Sequence, residues 1–134
     1  MKKILNSVMK ALLISTLCVV ALSGTVLAED GTIIDIEVSP QVLNIESNSR
    51  YVHIHADIGF GIVEDTNVEV NKEEIEVKYA FADDCGNLVV ICDIEEVKEI
   101  VKDDESANFV LTCNGGDYTG WDSVPVIRVI PQKP

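Results

Sequence analysis

Two histidines, a cluster of acids around a glycine turn and four cysteines carry most of the chemistry available to this chain. His53 and His55 lie two residues apart, so on an extended strand both imidazoles project from one face. That spacing suits zinc or copper once a neighbouring strand supplies a third ligand. No such ligand is marked in the sequence, and a half-buried or exposed pair beside Tyr51 is the expectation. Asp83, Asp84 and Asn87 bracket Cys85 and Gly86 and are the candidate calcium ligands, since a hard cation needs several oxygens on a rigid turn. Cys85 fills the middle of that loop and no bidentate glutamate closes it. The competing reading is an acidic turn whose side chains bond their own backbone. Cys85, in the turn, is the thiol expected to be most exposed. With the histidine pair it is the raw material for a small extracytoplasmic enzyme, yet no nucleophile-elbow or protease signature surrounds any serine or cysteine. Tyr118, Trp121 and Asp122 form a candidate ligand surface, because aromatics beside acids can stack on and hydrogen-bond to sugars. A lone tryptophan in a small sandwich more often plugs the core, and that is the expectation for Trp121.

These residues are positioned by strands. Alternation over 32–38 puts Ile34, Ile36 and Val38 on one face, and over 50–58 it does so for Val52, Ile54, Ala56 and Ile58. Residues 74–81 repeat the pattern, with Ile75, Val77, Tyr79 and Phe81 opposite Glu76, Lys78 and Ala80. Residues 88–92 are nearly all apolar and read as a central strand, and 109–113 and 124–130 complete the set. Pro125 places the last at an edge or at its own start. Short pieces at 42–45 and 67–70 add to these. One helical pattern spans 94–102, with Asp93 as cap and Glu96 three residues on as the partner of a capping box. On this alternation Cys92 and Cys113 face the core from separate strands. A bridge between them would close a loop of about 20 residues and contribute on the order of 3 kcal/mol. Two buried free thiols are the alternative.

The first 28 residues read as an export signal. Lys2, Lys3 and Lys10 precede or flank an apolar run of about a dozen residues, too short for a membrane span, and Val26-Leu27-Ala28 offers a cleavage site before Glu29. Cys18 leaves with this segment. What remains, residues 29–134, carries seven basic and 23 acidic residues, a formal charge of −16. So acidic a chain repels nucleic acid and anionic lipid. It is long enough for one core and too short for two domains.

In segment order the chain resembles a small β-sandwich domain that recurs in secreted and cell-surface proteins of bacteria and archaea, sometimes beside cohesin- or dockerin-type modules. The resemblance runs through Ile34-Asp35-Ile36, Pro40, Leu43-Asn44-Ile45-Glu46-Ser47, the strand from Val52 to Ile58, and Asn67-Val68-Glu69-Val70. It continues through Asp83-Asp84-Cys85-Gly86-Asn87 with Leu88 to Cys92, Leu111-Thr112-Cys113-Asn114-Gly115, and Gly120-Trp121-Asp122-Ser123-Val124. It implies a fold and a location and transfers no activity. The acidic loop is shorter here than the family's calcium-like one.

Together these readings give an all-β protein: an antiparallel Ig-like sandwich of about seven or eight strands with one short helix. The expected role is that of a secreted or cell-surface module, structural or binding, without catalysis or cofactor. Its partner would be a protein or carbohydrate met at the end formed by 83–87 and 114–122, with no nucleic acid and no membrane after cleavage. A calcium-stabilised version and the small enzyme are the alternatives.

Overall fold

The computed structural model describes residues 31–131; the signal segment and its Ala28–Glu29 junction lie outside the described residues. In chain order the elements are β1 (Thr32–Ile33), β2 (Ile36–Ser39), β3 (Leu43–Asn44), β4 (Tyr51–Gly59), β5 (Thr66–Val70), β6 (Glu73–Ile75) and β7 (Val77–Ala82). They continue with β8 (Asn87–Asp93), α1 (Ile94–Val101), β9 (Ser106–Cys113) and β10 (Tyr118–Ile127). The strands form two sheets, one in the order β2-β4-β8-β7 and one in the order β1-β10-β9-β5-β6, with β3 also on β10. The β-sandwich with one short helix read from the alternation is the fold observed. The strand count is higher than expected because β1, β3 and β6 are only two or three residues long. The pairing is also not wholly antiparallel, since β1 and β3 both run parallel to β10.

The chain passes between the sheets repeatedly, by its shortest links between β1 and β2 and between β6 and β7. At the first crossing β10 must come very close. A Cβ on Gly120 would meet the Ile34 carbonyl oxygen at 2.6 Å and the Ile36 side chain at 2.7 Å, so only glycine fits there. The core lies between the sheets. Val52, Ile54, Ala56 and Ile58 of β4 and Leu88, Val90 and Cys92 of β8 meet Val68 and Val70 of β5 and Phe109, Leu111 and Cys113 of β9. Each large side chain in such a core contributes roughly 1.5–3 kcal/mol. Truncating Phe109, which is fully buried, would remove about 3–5 kcal/mol.

The helix closes one end of the sandwich, packing against β4, β5, β6 and β8. Asp93 caps it by accepting from the Glu95 amide at 3.0 Å, and Ile94, Val97 and Val101 turn inward. The capping box does not form. Glu96 instead reaches sideways to accept from the Glu76 amide at 3.2 Å, where the chain changes sheets. Lys98 ties the helix to the loop before β4, donating to the Ser47 carbonyl at 2.8 Å. Among the described residues no helix is long and apolar enough to cross a membrane.

Candidate functional site

The outer face of the four-stranded sheet carries an apolar and aromatic patch. Along β4 the inward residues alternate with Tyr51, His53, His55 and Asp57, which point away from the core. The register across the sheet sets up two rows: Ser39, His53, Ile91 and Tyr79, then Glu37, His55, Val89 and Phe81. Val89 decides how this face should be read. It is 1 % exposed, yet it is not a member of the core cluster. Its register partners on that face are His55 on one side and Phe81 on the other. Val89 is therefore an apolar side chain buried on the outer side of the sheet, apart from the sandwich core.

Tyr79 and Phe81 stand on this face against expectation. Strict alternation places them inward with Ile75 and Val77. The register of β7 on β8 slips between Val77, which pairs with Cys92, and Tyr79, which pairs with Ile91. The extra residue at the slip, Lys78, reverses the phase of the strand that follows. Tyr79 and Phe81 are accordingly 59 % and 43 % exposed. Nothing in the sequence marks the bulge, so this part of the face was not legible there.

The histidine pair lies on this face as expected, the two rings stacked with centroids 6.4 Å apart and planes 19° from parallel. No three His, Cys, Asp or Glu side chains among the described residues come together as a metal-ligand set. Beside His55 the face opens into a hollow of about 320 Å³ lined by Asp35, Glu37, Asp57, Asp83 and Asn87 among others. Two of the calcium candidates, Asp83 and Asn87, thus border an acidic hollow. Asp83 is committed to the turn itself: its Oδ1 accepts from the Cys85 amide at 2.8 Å and the Asn87 amide at 2.9 Å. At the other end of the face a hollow of about 410 Å³ is lined by Arg50, Tyr51, Lys78, Asp93 and Glu95 among others. There the Arg50 guanidinium stands 5.6 Å from the Tyr51 ring centroid. The helix-end hollow thus mixes two cations with two carboxylates, whereas the loop-end hollow is lined by carboxylates with no lysine or arginine.

Tyr118, Trp121 and Asp122 do not form a common surface. Tyr118 packs on the core. Trp121 is 59 % exposed and is not the plug expected of it. It stands over the outer side of the six-stranded sheet, paired with Val110. Asp122 bonds the Val38 amide of β2 at 2.9 Å. The 83–87 turn and the 114–117 turn do reach the same end, as expected. Phe60 donates to the Gly86 carbonyl, while the Asn114 side chain accepts from the Glu64 amide and donates to the Ile62 carbonyl.

All three cysteines among the described residues are free, so the Cys92–Cys113 bridge is absent. Both thiols face the core as expected, but from opposite ends of the sandwich. Cys92 sits near the end of β8, which leads straight into α1. Cys113 ends β9, opposite Thr66 and Tyr118 at the far, loop end. From Ala107 to Cys113 a strand covers about 20 Å, well beyond the reach of a disulfide. Burial, reinforced by Glu96, pushes the Cys92 thiol up to about 12. Burial, reinforced by Asp65, pushes Cys113 up to about 11. Both are inert small apolar residues near neutral pH. Cys85 stands exposed in its turn.

Compared with known proteins, the chain matches no family model, no curated sequence and no solved structure.

Proposed function

We propose that this protein is an extracytoplasmic binding module without catalytic activity, and that it engages a protein segment carrying basic side chains on the outer face of its four-stranded sheet. The observation that carries this reading is the pairing of Val89, Phe81 and His55 with the acidic hollow beside them. An apolar and aromatic patch supplies area to bury, and adjoining carboxylates select a cation. The large excess of acid over base in the chain works in the same direction, drawing basic partners from a distance. Export agrees with the 1–28 segment and with the resemblance to surface-protein modules. The face replaces the loop end as the proposed contact surface, because Asp122 is spent on a structural bond and Tyr118 packs on the core.

Amide chemical-shift mapping tests the reading, with a short peptide alternating arginine and leucine as probe. Shifts over residues 35–37, 53–57 and 79–91 are expected. Shifts confined to 114–122, or none at all, would reject it, as would equal shifts with an acidic peptide of the same length.

A further inference from the structure

Among the described residues, β7 is the one left open of the strands that end the two sheets. In the six-stranded sheet β1 is two residues long, and β6 is three residues long and carries Glu73 and Glu74. On β2 the Val38 amide is taken by Asp122, Glu37 stands outward, and Pro40 follows directly. Short length, charge, proline and a covering group are the usual ways an edge is kept from pairing. By contrast β7 runs for six residues, Val77–Ala82, with no acid and no proline. Its one guard, the bulge at Lys78, lies at its N-terminal end. From Tyr79 on the ladder to β8 is regular. The Asp83 amide bonds the Asn87 carbonyl inside the hairpin at 2.8 Å. Hydrogen bonding alternates along an antiparallel strand, so Phe81 and Tyr79 bond toward β8 and the backbone groups of Ala80 and Ala82 face outward.

We propose that the occupant of this edge is a second copy of the same chain, β7 against β7 in antiparallel, giving a two-fold dimer with one continuous eight-stranded sheet. The edge is complementary to itself. Its cation, Lys78, stands at one end and Asp83 and Asp84 follow at the other. Antiparallel pairing sets Lys78 of each copy beside Asp83 and Asp84 of the other, whereas parallel pairing would set like against like. Tyr79 and Phe81 of one copy come beside Phe81 and Tyr79 of the other on the same outer face, a favourable cross-strand arrangement. The strand is also free of acid in a chain whose acids outnumber its bases, so it is where two copies repel each other least. A two-fold contact of this kind closes on itself and adds no further copies.

The inference goes beyond the binding reading and stands apart from it: a dimer without affinity for basic peptides, or the reverse, tells which has failed. The test is sedimentation equilibrium on the protein as its host produces it, up to millimolar concentration, alongside two variants. Ala80→Pro removes an outward amide and leaves the ladder to β8 intact. Phe81→Lys places a charge on the contact face and tests the same edge if the proline variant does not fold. A concentration-dependent dimer in the wild type, weakened about tenfold or more in either folded variant, is expected. A wild type that stays monomeric throughout, because the edge is unused or takes a foreign strand, overturns the proposal. So does a dimer that both variants leave unchanged.

Discussion

The Asp122 carboxylate accepts a hydrogen bond from the Val38 amide at 2.9 Å, although β10 and β2 belong to different sheets. This bond satisfies an edge amide that no strand among the described residues covers, and it holds the two sheets together beside the first crossing. Asp122→Ala is expected to destabilise the fold by about 1–3 kcal/mol, the cost of leaving a part-buried amide unpaired. Asp122→Asn keeps an acceptor oxygen and should recover part of that loss. Urea unfolding of the three proteins measures both effects.

Gly120 stands two residues away at the same crossing. Gly120→Ala places a methyl group 2.6 Å from the Ile34 carbonyl oxygen. That backbone atom can move only if β1 moves with it. Overpacking of this kind costs about 1–3 kcal/mol, and the expected result is a lower melting temperature with unchanged sheet content by circular dichroism.

The thiols give a chemical test of the fold. In the native protein Cys85 should react with a disulfide reagent near neutral pH, while Cys92 and Cys113 react only after denaturation. Intact mass without reductant should show no internal bridge between these three. Rapid labelling of Cys92 in the folded state would contradict its placement against the core.

The same thiols set an alkaline limit. Both are raised from 9.0, to about 12 for Cys92 and about 11 for Cys113. The folded state therefore holds these protons more tightly than the unfolded chain does. Their contribution is complete below pH 9 and is lost as pH rises through 11 and 12, by up to about 1.4 kcal/mol per pH unit for each thiol. Cys92→Val should flatten the fall in stability measured between pH 9 and 12, compared with wild type.

Much of this architecture was legible in the residues. The alternation of Val52, Ile54, Ala56 and Ile58 fixed which way His53 and His55 point, and Asp93 marked the start of the helix. What escaped was set by long-range geometry. The bulge at Lys78 turns Tyr79 and Phe81 outward, and it arises from how β7 meets β8, which alternation within one strand cannot report. The Cys92–Cys113 pairing failed for a related reason. Facing the core says which side of a strand a residue occupies, but not which end of the sandwich it reaches. Trp121 went the same way, since its strand continues from Tyr118 through Ile127 and puts residue 121 on the outer side. Glu96 had the right spacing for a capping box, but the Glu76 amide at the sheet crossing claimed it.

The outer face of the four-stranded sheet is the centre of the functional reading, and calorimetric titration with the arginine–leucine peptide tests it most directly. The wild type, the Tyr79→Ala/Phe81→Ala double variant and Trp121→Ala should be compared at one salt concentration. All three side chains are exposed, so folding should be undisturbed. The expected result is a loss of about tenfold or more in affinity for the double variant, with Trp121→Ala binding as wild type. Equal binding by the double variant, or a loss confined to Trp121→Ala, would contradict it.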